Sequence, residues 1–221
     1  MAFIPALETI FKEIQNQENA FAMSKYMKNN FSFFGIKTEE RRHHFKAILK
    51  ENQIEVAANA RSIVLLLLKK PEREFHYCAI EIAIKELRGN YKKEDIQFIE
   101  QLITTHSWWD SVDTLAKYVL GAYLMAFPAE IDAVIHRLSH SENMWLNRSA
   151  LLFQLGYKEK TDFNLLQKIC EKHQTSKAFF IQKAIGWALR EYAKTNPDLV
   201  RDFVLTSNLK PLSKKEALKN S

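Results

Sequence analysis

The 221-residue sequence has little glycine or proline, 5 of each. Sheets of many strands need tight turns, and tight turns are built largely from those two residues, so the scarcity argues against a β-rich fold. No glycine-rich phosphate loop of either common pattern occurs, which argues against a nucleotide-binding enzyme. There are only 2 cysteines, Cys78 and Cys170, both inside helical patterns and without metal-ligand spacing. They suggest buried thiols in a reducing compartment rather than a disulfide framework. Long apolar runs are also missing. The longest, SIVLLLL at 62–68, is too short to span a bilayer. The first residues, MAFIPALETIFKEI, form an amphipathic stretch with an early acid, unlike a secretion signal. The expectation is a soluble, cytoplasmic protein with no membrane partner.

What the chain does have is apolar mass and positive charge. At 47% hydrophobic it can bury a sizeable core, either as one domain over 1–221 or as one continuous array of repeats. Its formal net charge is +6 and its pI about 9.2. That balance favours a polyanionic partner or simply keeps the protein soluble.

Apolar residues recur with helical periodicity from end to end, and no segment alternates long enough to predict a strand. Helices are expected near 3–16, 18–30, 38–52, 54–69, 72–88, 93–104, 107–125, 129–139, 143–155, 162–173, 176–194, 197–206 and 212–219. Short polar or proline-containing joints such as KKPE at 69–72 and KTNPD at 194–198 separate them,. Many mid-length helices with short connections predict an all-α fold of antiparallel helix pairs, either a bundle or an α-solenoid. Trp109, Arg148 and Trp187 follow one another at intervals of 39 residues, close to the period of roughly 40 in HEAT-type repeats. Residues one repeat apart occupy equivalent places, so the spacing favours a solenoid with these three along one wall of a curved groove.

Helical phase sorts the side chains. In SKAFFIQKAIGWALREYAK, residues 176–194, Ile181, Ile185, Ala188 and Tyr192 form an apolar stripe. Lys183, Trp187, Arg190 and Lys194 lie opposite. A tryptophan amid cations suits a nucleic acid; the alternative is that it packs on a neighbouring helix while the cations snorkel to water. In THSWWDSVDTLAK, residues 105–117, Trp108 joins Val112, Leu115 and Val119 in the core stripe, with Ser107 as N-cap. Trp109 and Asp113, four apart, share another flank. Asp110 and Asp113 also complement the helix dipole. In the helix over 143–155, Arg148 projects from the face opposite Leu146, Ala150 and Phe153. It is either a snorkelling surface residue or a bidentate partner for a phosphate or for Asp113.

The strings SWWDSVD, WLNRSALLFQLGYK and SKAFFIQKAIGWALREYAKTNPD resemble the alkylpurine DNA glycosylases built from HEAT-like repeats, the AlkD family. SKYMKNNFSFFGIKTEERR, KKPEREF and LKPLSKKEALK are similar to further segments of it, so the likeness covers nearly the whole chain. The resemblance implies an all-α solenoid whose basic concave face takes duplex DNA, and an enzyme that releases N3- and N7-alkylated purines by hydrolysing the N-glycosidic bond. It places the family's tryptophan–aspartate–arginine–tryptophan constellation on Trp109, Asp113, Arg148 and Trp187. Some related solenoids lack these side chains and are not glycosylases. Lys183, Arg190, Lys194, Lys214 and Lys215 are candidate phosphate contacts, and Tyr26 and Thr38 candidate groove residues at the N-terminal end. This chain departs from the family at Lys37, where glutamine is common, which bears on DNA contacts there and not on the chemistry. Members usually continue slightly further, so a shortened last helix is expected.

Two other classes compete with this reading. A non-catalytic solenoid that binds DNA or a protein fits the composition and the basic stripe equally well; Asp113 with its aromatic neighbours favours the enzyme. A metal hydrolase does not fit: His136 and His140 are four apart, but the glutamate of an HExxH motif is missing and no third ligand has suggestive spacing. The expectation is an enzyme without metal or cofactor, working on duplex DNA as a monomer.

Overall fold

The computed structural model describes residues 2–219. The protein is all-α: among the described residues its β-structure is one isolated bridge, Ser32 to Glu72. No single helix there is long and apolar enough to cross a membrane. The chain forms two compact units, Met1–Asn90 and Tyr91–Ser221.

The first unit contains α1 (Phe3–Glu13), α2 (Gln17–Tyr26), α3 (Thr38–Glu51), α4 (Gln53–Leu68) and α5 (Arg73–Leu87). The apolar stripe Phe3, Leu7 and Phe11 of α1 is fully buried where α1 packs on α3 and α4, and α4 packs along α5. Helix α2 ends before the predicted limit of 30 because Lys28 and Asn29 both take the left-handed conformation (φ 57° each). It buries none of its residues. It is held by backbone instead: Asn16 N–H donates to the Phe34 carbonyl at 2.8 Å. The Glu74 carboxylate fixes that turn, accepting from the N–H groups of Phe34, Gly35 and Ile36 at 3.1, 2.9 and 3.1 Å. Burial pushes the Glu74 carboxyl up, and the backbone donors oppose the shift. Gly35 is required here, since it has φ +84° and an added Cβ would lie 2.0 Å from the Asn16 carbonyl oxygen,.

The second unit contains α6 (Asp95–Thr104), α7 (Trp109–Ala126), α8 (Ile131–Ser139), α9 (Met144–Leu152), α10 (Phe163–His173), α11 (Phe179–Ala193), α12 (Pro197–Thr206) and α13 (Pro211–Ala217). Alternate helices make a row, with α7 packed on α9, α9 on α11 and α11 on α13. The intervening helices back it, α8 against α9, α10 against α9 and α11, and α12 against α11. Val112, Leu115, Ala150, Phe153, Ile181, Ile185 and Leu189 fill the space between, each at most 2% exposed.

Two features set how α7 meets α9. Residues Ala116–Leu120 of α7 form a π turn, a widening that often marks functional sites. Tyrosine hydroxyls donate to nearby carbonyls, Tyr91 to Val119 at 3.2 Å and Tyr157 to Gly121 at 2.5 Å. Gly121 then lets the helices touch: a Cβ there would stand 2.4 Å from the Phe153 carbonyl oxygen. That neighbour is backbone and cannot swing aside. Gly121→Ala should therefore cost about 1–3 kcal/mol, the usual penalty for overpacking, read as a lowered denaturation midpoint. A midpoint equal to wild type would mean that α7 and α9 separate freely at this crossing.

Candidate active site

The helices α7, α9 and α11 begin at Trp109, Met144 and Phe179, so the repeat in this unit is 35 residues (109 to 144, 144 to 179). That corrects the reading of the 39-residue interval. Trp109, Arg148 and Trp187 are not equivalent positions; each lies one repeat plus four residues beyond the last, one helical turn further along the same face. The equivalent fifth positions are Asp113, Arg148 and Lys183. An acid and a base therefore fall side by side on neighbouring helices.

Asp113 and Arg148 meet there. Arg148 Nε donates to Asp113 Oδ1 at 2.6 Å and Nη2 to Oδ2 at 2.9 Å, a bidentate fork that only a planar guanidinium can make. Its third nitrogen, Nη1, donates to the Phe180 carbonyl in the first turn of α11, and its Cζ lies 5.9 Å from the Phe180 ring centroid. One side chain thus ties α7, α9 and α11 together. Arg148 is 5% and Asp113 12% exposed at the side chain. Of the two sequence readings of Arg148, the bidentate partner of Asp113 is the one found; as a snorkelling surface residue it is corrected, because both its charge and its stem are enclosed.

The electrostatics at Asp113 are a contest. Burial pushes its carboxyl above the ordinary value of 3.8, Arg148 pulls it back through hydrogen bonds and charge, and nearby Asp110 adds to the rise. The result is a carboxylate that is costly to keep ionised and kept so by one guanidinium.

A cluster of rings adjoins Arg148 through Phe180. Trp108 stands 5.8 Å from Trp145 and 5.4 Å from Phe180, and Trp145 lies 5.1 Å from Phe180, centroid to centroid. Trp108 was expected in the core stripe; it is half-buried and belongs to this aromatic wall instead. Its Nε1 is buried and has no hydrogen-bond partner among the described residues. Ser107 is not the N-cap: its hydroxyl donates back to the Ile103 carbonyl at 2.7 Å, and α7 starts at Trp109 with Trp108 in the cap position. Trp109, half-buried, precedes Asp113 by one turn on the same helix.

Trp187 is half-buried on α11, one turn beyond Lys183. It lines a cavity of about 410 Å³ with Arg190, Glu191, Ala193, Lys194, Pro197, Ala217 and Lys219. Asp113 is not among the residues lining that cavity. Of the candidate phosphate contacts, Lys183 and Arg190 are engaged by Glu216 of α13, Lys183 Nζ at 2.8 Å from Oε1 and Arg190 Nη1 at 3.0 Å from Oε2. Lys194 pairs with Glu191 at 2.6 Å and is exposed. Lys214 and Lys215 lie on α13, the first half-buried and the second exposed. Tyr26 and Thr38 belong to the first unit: Tyr26, at the end of α2, is 68% exposed, and Thr38, also exposed, opens α3.

Sequence reasoning missed Glu216 and Phe180. Glu216 had a signal, since two cations seven residues apart on one face invite an acid from the next helix of the row. Phe180 acts through its carbonyl, which no side-chain pattern announces. Among the described residues no group of three or more His, Cys, Asp or Glu side chains could hold a metal ion. His136 and His140 stack on each other, ring centroids 4.1 Å apart.

Several comparisons bear on this geometry. Residues 7–220 match the family described as DNA alkylation repair enzyme. A solved structure from Enterococcus faecalis, described as a "predicted DNA alkylation repair enzyme", is 36% identical, covers 93% of this chain and 96% of its own, and superposes with a TM-score of 0.85. The smu.31 protein of Streptococcus mutans UA159 is 15% identical over 81% of this chain and 98% of its own, with a TM-score of 0.59; at that identity it shows the shared fold alone. No curated protein matches the chain. With a family match that spans almost every residue and a repair-enzyme relative that shares its length and fold, the chain belongs to the DNA alkylation repair enzyme family, which gives it a role in DNA repair.

Proposed function

We propose that the protein is a DNA glycosylase that hydrolyses the N-glycosidic bond of N3- and N7-alkylated purines in duplex DNA. The observation that carries this reading is the Asp113 carboxylate, 12% exposed and gripped on both oxygens by Arg148. Alkylation makes the purine cationic and already a good leaving group, so little acid catalysis is needed. When the C1′–N bond breaks, its electron pair leaves with the base and positive charge develops on the deoxyribose. A fixed carboxylate in a water-poor site stabilises that charge without reorganising. It also orients the attacking water, whose oxygen bonds to C1′ and whose proton passes to the carboxylate or to solvent.

Arg148 uses two of the carboxylate's roughly four lone-pair directions, which leaves room for water. The pairing holds Asp113 in place; the carbonyl of Phe180 holds Arg148. Trp109 and Trp187 offer ring faces to the cationic sugar or base, worth about 0.5–2 kcal/mol each where water is excluded. Lys194, Lys214 and Lys215 supply phosphate contacts, with Tyr26 and Thr38 on the first unit as further DNA-facing residues.

The direct test is release of free 3-methyladenine or 7-methylguanine from methylated duplex DNA, with abasic sites left behind. Absence of release by folded wild-type protein would favour a helical scaffold that binds DNA or a protein without catalysis. A second expectation follows from charge. The reaction needs the ionised carboxylate, and burial raises its pKa, so base release should fall, as pH drops, through a limb lying above the ordinary aspartate value of 3.8,. An initial-rate profile locates it; a limb at or below that value would show that Arg148 outweighs burial.

A further inference from the structure

A second ion-pair cluster lies further along the row, where Lys183, the fifth residue of α11, meets Glu216, the sixth of α13. Here one carboxylate serves two cations. Glu216 Oε1 accepts from Lys183 and Oε2 from Arg190, while Arg190 Nη1 also donates to the Glu216 main-chain carbonyl at 2.7 Å. Gly186 permits this: a Cβ at that position would lie 2.4 Å from Glu216 Cβ and 2.8 Å from the Ser213 carbonyl oxygen, so only glycine lets α13 come this close. Ser213 Oγ donates to the Gln182 carbonyl at 3.0 Å and completes the seam.

Two cations converging on a pair of acceptor oxygens are also what a phosphodiester needs, since guanidinium recognises carboxylate and phosphate with the same geometry. The group is accessible, with Lys183 35% and Arg190 27% exposed at the side chain. It adjoins the Trp187 cavity, where Lys219 adds positive charge while Lys194 is balanced by Glu191. We propose that Lys183 and Arg190 form a phosphate site for the DNA backbone, and that Glu216 occupies it in the free protein as a stand-in carboxylate which the duplex displaces. This rests on duplex DNA being the partner, but not on base release. The two cations hold the Glu216 carboxyl down to about 2, so the stand-in is ionised throughout the range in which DNA binds. Two cations against one acid leave a net positive site, which draws the phosphate in before the carboxylate leaves.

The test uses the full chain and an undamaged duplex, with binding measured by fluorescence anisotropy across a salt series. Glu216→Gln should bind several-fold tighter than wild type at low salt. Its log–log salt slope should match that of wild type, because both proteins neutralise the same phosphates once bound. Lys183→Gln/Arg190→Gln with Glu216 kept should instead have a slope shallower by about 1–2, since each lost phosphate contact removes about 0.9. The Lys183→Gln/Arg190→Gln/Glu216→Gln triple variant should lose that gain. A Lys183→Gln/Arg190→Gln variant that keeps the wild-type slope would overturn the proposal, since those cations would then not reach phosphate in the wild-type complex. A Glu216→Gln slope steeper than wild type would do the same, because Glu216 would then still hold them when DNA is bound. So would wild-type protein that binds no duplex. Should Glu216→Gln loosen α13, Glu216→Asp answers the same question: it keeps the charge but is too short to span both cations, so it should bind more tightly than wild type, and unchanged affinity in that folded variant also rejects displacement. Because no methylated base is involved, a failure in the variants leaves the Asp113 reading intact, and failure of base release leaves this result standing.

Discussion

Replacing Asp113 by asparagine should lower the rate of methylated-base release by on the order of 100- to 1,000-fold, the usual loss when one preorganised electrostatic group is removed from a transition state. The substitution keeps the shape and takes away the charge. The amide oxygen can still accept from Arg148, but the NH₂ group faces a guanidinium nitrogen that also donates, so one arm of the fork at 2.6 and 2.9 Å must open. The remaining site would bind DNA at least as well as wild type, with one acid fewer beside the phosphates. Single-turnover release at saturating enzyme separates the effects: the loss should appear in the chemical step and not in affinity. Base release at the wild-type rate by a folded Asp113→Asn protein would remove this carboxylate from the chemistry.

That expectation could be framed from the sequence because the relevant signals were local. Helices are legible wherever an apolar stripe is wide and continuous, and all thirteen predicted segments contain one in the structure. Boundaries are less so. The predicted start at Ser107 follows cap preference, but the hydroxyl finds the last turn of α6 instead; a cap rule scores one helix at a time, while the joint here has two competing carbonyl acceptors. The aromatic wall escaped for a related reason. Trp108 has the right phase for the core of α7 but sits in its cap position, where helical phase no longer governs direction.

The site itself was half legible. An interval of 39 residues caught the right face and misplaced the register, because a repeat of 35 plus one turn of four is indistinguishable from a repeat of 39 when only three residues are compared. Only coordinates showed Asp113, Arg148 and Lys183 as the equivalent set. The cationic stripe of α11 was correctly assigned to one face, yet its partner acid arrives from α13, which sequence periodicity treats as a separate surface helix. Interactions within a helix can be read from spacing; those between helices of a row depend on how closely the backbones approach, set here by Gly121 and Gly186.

Arg148→Met should be the most destabilising single change in the second unit, by about 3–5 kcal/mol, the range for breaking a buried ion pair from one side. Methionine fills much of the volume, so the penalty is electrostatic: the Asp113 carboxylate loses both donors while staying enclosed, and the Phe180 carbonyl loses its partner across α9 and α11. The cost should depend on pH with a definite sign. Arg148 lowers the Asp113 pKa and burial raises it; without Arg148 the rise is unopposed. A carboxyl whose folded pKa lies above its unfolded value destabilises the fold once ionised, so the deficit should be full at neutral pH and shrink as acid protonates Asp113. The acid limb of base release should move upward in any activity that remains. Arg148→Lys, one point charge in place of a fork, should fall between. Urea midpoints at neutral and acid pH, compared with those of Asp113→Asn and the double variant, measure the coupling directly. A deficit independent of pH, or single effects that simply add, would mean that Arg148 stabilises the row by packing and not through the carboxylate it holds.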